Sequence, residues 1–146
     1  GAGADRDNLI KLSSDRNLPN TLFLPMQPKE KMRSIWSLCD IALVHLKNNP
    51  AFSEVIPSKI FEAMSMGLPI LLNMPGGEAR DIIEKECLGI WVPPENPEAL
   101  SKSIKILIED KKLHKTLSQN CIAAAPRYSR SHQAQKMIDV FDKAIL

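Results

Sequence analysis

Two carboxylates, Glu54 and Glu62, stand with seven residues between them in the stretch SEVIPSKIFEAMSMGLP, and Ser58 and Lys59 between them add a hydroxyl and a cation. Ser58 and Glu62 are four residues apart, which places them on one face of a helix. A helix start has free N–H groups and a partial positive charge, so it can hold a phosphate. Glu62, one turn further on, can accept hydrogen bonds from the two hydroxyls of a ribose. These groups predict a sugar-nucleotide site, with Glu54 reaching beyond the phosphates.

The elements that position these groups are predicted to be a loop, a helix, a tight turn and a buried strand. Pro57 suits the first helical position, because its φ is fixed and it has no N–H. Gly67, with Pro69 just beyond it, is a typical helix end. The apolar run Leu68–Asn73 then predicts a strand.

The same alternation of strands and helices continues along the chain. It predicts an α/β fold, a Rossmann-like, mostly parallel sheet flanked by helices. The other predicted strands are Asn20–Leu24, Asp40–Leu46 and Gly89–Pro93. The other predicted helices are one from Asp5 to about Asn17 with Leu9, Ile10 and Leu12 inward, one from Lys29 to about Leu38, Glu78–Glu86, one beginning at Pro97 with Asn96 as its cap, Lys111–Ala125, and Ser131–Leu146 with Ala134, Met137, Ile138, Phe141 and Ile145 on one face. The last two or three helices are predicted to complete the packing.

The central stretch resembles the signature of retaining GT-B glycosyltransferases of family four, E-x7-E followed by A-M-x-x-G-x-P, which stands here as E-VIPSKIF-E-AM-SM-G-L-P-I. The P-S-K form is similar to a subgroup that makes bacterial surface polysaccharides, including N-acetyl-fucosamine transferases. The resemblance covers nearly the whole chain. It implies the C-terminal, donor-binding half of a GT-B fold, acting with retention on a UDP-linked sugar and a lipid-linked or polysaccharide acceptor, with no metal or other cofactor.

The resemblance and the residue chemistry together assign roles within the site. Ile56, Pro57, Ser58 and Lys59 would stabilise the diphosphate as it leaves, because fixed donors and cations favour developing negative charge. Glu62 would bind the ribose. Glu54 is the predicted catalytic residue, which would orient the donor sugar and support an oxocarbenium-like transition state.

Four further residues are candidates for contact with the donor. Gly76 and Gly77 precede a predicted helix and let the backbone approach a ligand closely, and in the resembled family such a pair borders the donor sugar, although a plain turn also explains them. Met26 belongs to a segment that passes beside the nucleobase in that family. His45 near a strand end could face the site, since ligands gather at the carboxyl ends of strands, or it could be structural.

Composition limits the classes of function. The chain has 146 residues, which predicts one domain spanning residues 1–146, and a net charge of +2 without a Lys/Arg stripe gives little support to nucleic-acid binding. No apolar run is long enough to span a bilayer, and no leader precedes the domain, so we expect a cytoplasmic protein that meets the inner membrane face only through its acceptor. Cys39, Cys87 and Cys121 lack ligand spacing and are predicted to be reduced core residues.

The chain also departs from the resembled family. In that family a phosphate-binding Arg and Lys lie in a segment that would precede Gly1; either Lys59 partly takes their place or that segment has been cut away. We expect the N-terminal acceptor domain and the first strand segment to be absent and the fragment to be inactive alone. The alternatives are a GT-B-fold sugar-nucleotide epimerase and a non-catalytic nucleotide-binding or interaction module. A glycosidase is disfavoured, because its two carboxylates must flank one glycosidic bond.

Overall fold

A computed structural model describes Gly3 and residues 5–145, which form two compact units, Gly1–Trp36 and Ser37–Leu146. The first unit contains two helices and the second contains all three described strands. The elements are α1 (Arg6–Asp15), α2 (Lys29–Trp36), β1 (Ala42–His45), a first 3₁₀ turn (Pro50–Glu54), α3 (Lys59–Ser65), β2 (Ile70–Asn73), α4 (Glu78–Lys85), β3 (Gly89–Val92), α5 (Pro97–Glu109), α6 (Lys111–Ala124), a second 3₁₀ turn (Ala125–Tyr128) and α7 (Arg130–Ile145).

The first unit departs from the prediction in two ways. The predicted strand Asn20–Leu24 is irregular, since none of its residues forms a strand and every described strand pairs within the second unit. The predicted inward face of α1 is wrong for Leu9 and Leu12, which are 51% and 44% exposed, whereas Ile10 is half-buried and no residue of α1 is fully buried.

The three strands form a parallel sheet in the order β1-β2-β3, and every residue of the central strand is buried. Leu71 of β2 and Val92 of β3 pack with Leu107 of α5 and Leu117 of α6. Helix α3 contacts β1 and β2, and α4 contacts β2 and β3. The predicted parallel α/β fold with flanking helices is confirmed.

The local signals for α5 placed its start correctly. The side-chain oxygen of Asn96 accepts a hydrogen bond of 3.0 Å from the N–H of Ala99, and Pro97 is the first helical residue. An Asn cap leaves one fewer unsatisfied N–H at the helix start, and a proline there loses no helical hydrogen bond. Strands β1 to β3 lie within the predicted ranges, one or two residues shorter at their ends.

The apolar stripe of α7 is exposed, which corrects the prediction that this last helix completes the packing. Met137, Ile138 and Phe141 are 62%, 50% and 58% exposed. Among the described elements, α7 packs on the second 3₁₀ turn, and that short turn cannot cover a helix of 16 residues. The side chain of Ile145, the last member of the predicted stripe, lies outside the described residues.

The second 3₁₀ turn is held by contacts with Glu86, which follows α4, and with Phe61 of α3. Tyr128 donates a hydrogen bond of 3.1 Å to the carboxylate of Glu86, which also pairs with Arg127. The Tyr128 ring stacks on Phe61 of α3, with centroids 5.8 Å apart. Burial and the hydrogen bond to Glu86 raise the pKa of Tyr128. These contacts fix the outer side of α3, the helix that carries Glu62.

The cysteines differ from one another in burial. Cys121 is buried and its thiol lies 3.3 Å from the carbonyl oxygen of Leu68, whereas Cys39 and Cys87 are exposed, so the prediction of three core cysteines is wrong for two of them. Cys39 lies beyond the end of α2, and Cys87 has a positive φ of 50° where the chain leaves α4. Both cysteines therefore lie at the surface, and Cys87 lies in a turn.

We expect iodoacetamide at neutral pH to alkylate Cys39 and Cys87 in the folded chain and to leave Cys121 unmodified until the chain is unfolded. Burial raises the pKa of Cys121 to about 12, so almost no thiolate is present, and the thiolate is the nucleophile. Peptide mass mapping of native and urea-treated samples measures each site separately. Equal labelling of the three thiols in the native sample would contradict the burial of Cys121.

Candidate functional site

The carboxyl ends of the three strands are tied together by one buried side chain. Asn73, at the end of β2, is 2% exposed, and its Nδ2 donates to the carbonyl oxygens of Val92 at 3.3 Å and Pro93 at 2.8 Å. Its Oδ1 lies 2.5 Å from Nδ1 of His45, the last residue of β1. Ligands of open parallel sheets bind outside this edge, so these contacts define the floor of the candidate site.

Glu54 lies at the end of the first 3₁₀ turn, in a region that the sequence predicted as a loop. The side-chain oxygen of Asn49 accepts from the N–H of Ala51 at 3.0 Å, and Pro50 is the first residue of the turn. The Ser53 hydroxyl donates to the carbonyl of Pro50 at 2.7 Å and lies 3.3 Å from a carboxylate oxygen of Glu54. The Glu54 side chain is exposed, so it can reach a ligand above the sheet edge.

Helix α3 begins at Lys59, two residues later than the prediction at Pro57. The chain enters it through a tighter turn, in which the N–H of Ile60 bonds to the carbonyl of Pro57 at 3.0 Å, a three-residue separation. The first bond across four residues runs from Glu62 to Ser58, at 3.2 Å. The N–H groups of Ser58 and Lys59 have no backbone acceptor within the described residues, as the start of a helix requires.

Packing decides which side of α3 faces outward. Ile60, Ala63 and Met64 are almost fully buried. This leaves the side chains of Ser58, Lys59 and Glu62 exposed, whereas Ile56 and Pro57 are half-buried. The exposed carboxylate and the exposed cation therefore lie at the same end of one short helix.

The glycine pair, Gly76 and Gly77, lies close to the first 3₁₀ turn. Gly77 precedes α4, and a Cβ added to it would lie only 2.0 Å from the carbonyl oxygen of Ser53. A side chain at Gly77 would therefore collide with the backbone beside Glu54. Gly76 is exposed, and a Cβ there would meet only Arg80 side-chain atoms, at 3.7 Å. The structure thus brings the glycine pair against the turn that carries Glu54.

Met26 lies in the first unit, in the irregular segment between α1 and α2, and is 76% exposed. Its contact with a nucleobase stays a prediction.

Sequence reasoning missed two features of this edge. Asn73 could have been suspected, because an Asn ends an otherwise apolar strand at its carboxyl end. The second feature is Trp91, whose indole N–H donates to the carbonyl of Met74 at 2.9 Å and whose ring lies 4.4 Å from the Arg80 guanidinium. A hydrogen bond and ion pair with Glu84 raise the pKa of Arg80. These contacts hold the backbone just before the glycine pair, and no local pattern predicts them.

The described residues contain neither a metal-binding cluster nor a membrane-spanning helix. Among residues 3 and 5–145, no group of three or more His, Cys, Asp or Glu side chains could hold a metal ion. None of the helices in the same residues is both long and apolar enough to cross a membrane.

A parallel sheet flanked by helices, with its loops gathered at the carboxyl edge, defines a Rossmann-like ligand-binding domain. The chain belongs to the glycosyl transferases group 1 family, whose model matches residues 1–124. It is similar to N,N'-diacetylbacillosaminyl-diphospho-undecaprenol alpha-1,3-N-acetylgalactosaminyltransferase of Campylobacter jejuni, with 29% identity over 107 residues, 73% of this chain. The predicted resemblance to GT-B glycosyltransferases is thereby confirmed at the level of the family.

Solved structures show the same fold. HepE from Anabaena in complex with UDP-glucose matches 94% of this chain with a TM-score of 0.77, and sucrose-phosphate synthase from Thermosynechococcus elongatus matches 99% with a TM-score of 0.81, both at 21% identity. The chain spans 36% and 35% of these two proteins and 27% of the Campylobacter relative.

Proposed function

We propose that this chain is the donor-binding half of a retaining glycosyltransferase that moves a sugar from a UDP-linked donor to an acceptor. One observation supports the proposal for a chain of this family. The backbone of Gly77 approaches that of Ser53 closely, which brings the glycine pair next to the turn of Glu54 at the carboxyl edge of the sheet. Helix α3, which starts five residues after Glu54, brings Glu62 and Lys59 into the same segment.

The proposed chemistry follows from these groups. Bond breaking between the anomeric carbon and the phosphate places negative charge on the leaving diphosphate. Lys59, the Ser58 hydroxyl and the N–H groups of Ser58 and Lys59 at the helix start stabilise that charge, and preorganised donors of this kind need no reorganisation during the reaction. Glu62 accepts hydrogen bonds from the ribose, and Glu54 orients the donor sugar. No metal takes part.

The relatives suggest the two substrates. The HepE structure is a complex with UDP-glucose, which supports UDP as the nucleotide, and the name of the Campylobacter enzyme describes transfer of an N-acetylhexosamine to an undecaprenol-linked acceptor. We extend both to this chain as a transferase of hexosyl or N-acetylhexosaminyl groups that acts at the cytoplasmic side of the membrane. A separate N-terminal acceptor domain completes the active site, so this chain alone binds the donor without transferring its sugar.

The test is the affinity of the chain for UDP, GDP and ATP by isothermal titration calorimetry, with a Glu62→Ala variant. We expect selective UDP binding that Glu62→Ala weakens about 10- to 100-fold, because hydrogen bonds to a charged group contribute about 1.5–3 kcal/mol. Glu109→Ala is the matched control, since Glu109 is an exposed glutamate at the last residue of α5, at the other end of the helix from the sheet edge.

Two outcomes would contradict the proposal. UDP affinity that is equal in the wild type and in Glu62→Ala would remove the ribose role of Glu62 and favour an interaction module. Equal affinity for the three nucleotides would remove the choice of UDP.

A further inference from the structure

The His45–Asn73 pair lies at the carboxyl edge of the sheet and has no role in the function proposed above. His45 is the last residue of β1 and is exposed, and its partner Asn73 is buried at the equivalent position of β2. After His45 the chain pairs once more, through the N–H of Leu46 and the carbonyl of Asn73 at 3.0 Å, and then reaches Asn49, which caps the turn of Glu54. The imidazole of His45 therefore lies just before the segment that leads to the first 3₁₀ turn, which carries Glu54.

The neighbours of Asn73 fix which way its amide points. One end of the amide faces the carbonyl oxygens of Val92 and Pro93, and carbonyl oxygens can only accept hydrogen bonds. That end must therefore be the NH₂ group, which supplies both protons. The opposite end, facing His45, is then the carbonyl oxygen of the side chain.

The amide orientation in turn fixes the proton on the ring. An oxygen 2.5 Å from Nδ1 of His45 requires that Nδ1 carry a hydrogen. A neutral imidazole has only one N–H, so its Nε2 presents a lone pair. Because Asn73 is 2% exposed and donates to two backbone carbonyls, it cannot rotate without leaving buried groups unpaired. The ring is held as a hydrogen-bond acceptor at the sheet edge.

We propose that His45 is a donor-binding residue whose Nε2 accepts a hydrogen bond from a hydroxyl of the nucleotide sugar, with Asn73 as its positioning residue. The inference rests on the proposed function, because it assigns the hydroxyl to the same donor. A lone pair at Nε2 selects a hydroxyl over a phosphate, since phosphate oxygens are also acceptors. The hydroxyl belongs either to the transferred sugar or to the ribose, and the two ligands of the test distinguish these sources.

The test is ¹⁵N NMR of the three histidine rings of the chain at about pH 8, where an ordinary imidazole is neutral. A His45→Asn variant assigns the His45 resonances. We expect Nδ1 to be protonated and the Nε2 resonance to move saturably with UDP-glucose. Movement with UDP-glucose but not with UDP places the hydroxyl on the transferred sugar, and equal movement with both places it on the ribose.

Variants supply a second readout. His45→Asn keeps an amide N–H for the Asn73 oxygen but lacks an acceptor at the position of Nε2, so we expect UDP-glucose affinity to fall about 5- to 10-fold, the size of one neutral hydrogen bond. His132→Asn, at an exposed position of α7, should bind as the wild type does. Asn73→Ala removes the oxygen that faces Nδ1 of His45, so we expect both neutral tautomers of His45 to be populated. If that variant does not fold, the tautomer of His45 in the wild type still tests the proposal.

Several outcomes would overturn the inference. An Nε2–H tautomer in the wild type, or a proton gained by Nε2 on binding, would show that the ring is not an acceptor. An unmoved Nε2 at saturating UDP-glucose, while other resonances move, would overturn this inference and leave the proposed function standing. No saturable change at any resonance would overturn both.

Discussion

Gly77→Ala is expected to lower the affinity for UDP-glucose at least tenfold and to destabilise the second unit by about 1–3 kcal/mol, the usual range for overpacking. The new Cβ would lie 2.0 Å from the oxygen, 2.8 Å from the carbon and 3.1 Å from the Cα of Ser53. All three are backbone atoms, so no rotamer change relieves the collision. The first 3₁₀ turn has to move, and Glu54 moves with it.

The measurement combines calorimetry with UDP-glucose and thermal unfolding followed by circular dichroism. Gly76→Ala is the control for stability, because its Cβ would meet only side-chain atoms of Arg80 at an ordinary 3.7 Å. The two variants add the same methyl group to adjacent residues, so a difference between them measures the contact with Ser53. Equal melting temperatures would show that the turn accommodates a side chain at Gly77.

Local signals in the sequence account for much of the second unit. Apolar runs predicted the three strands, because a strand covered on both faces has no polar side to display. The Asn96-Pro97 pair predicted the start of α5, because capping depends on residues within one turn. Features that depend on neighbours in sequence were therefore predicted within one or two residues.

The errors share a physical cause. The spacing of Met137, Ile138 and Phe141 showed which face of α7 is apolar, but an apolar stripe does not reveal whether a surface exists to cover it. The segment Asn20–Leu24 has strand-like residues but forms no strand in the described structure. An amphipathic pattern or a strand propensity is a property of a single element. Burial and strand pairing also require a second element on which the first can pack or with which it can pair.

The candidate site also has features that a single segment predicts and features that depend on contacts between distant segments. The E-x7-E spacing predicted Glu54 and Glu62 as site residues without any structure, because the spacing is a property of one segment. The approach of Gly77 to Ser53 joins residues 24 positions apart, and the His45–Asn73 contact joins residues 28 positions apart. Neither contact follows from residue types alone, since both depend on the register of β1 and β2.

Glu54→Gln is expected to reduce sugar transfer about 100- to 1,000-fold while UDP affinity changes less than about twofold, an effect of the size seen when one transition-state contact is lost. Gln keeps the volume and hydrogen-bonding reach of Glu but carries no charge. The positive charge that grows on the donor sugar as the diphosphate leaves would lose its nearest carboxylate. UDP has no such sugar, so its binding should be insensitive to the change.

The assay needs this chain joined to an acceptor domain, with transfer measured by product formation and UDP affinity measured on the chain alone. Glu109→Gln is the matched control, an exposed glutamate at the last residue of α5. A fall in transfer rate with unchanged UDP affinity assigns Glu54 to the reacting sugar. Parallel losses of both would mean that Glu54 holds the nucleotide or the turn itself, and an unchanged transfer rate would remove Glu54 from catalysis. Glu54 is exposed and contacts Ser53 on its own turn. We therefore expect the Glu54→Gln variant to fold as the wild type does.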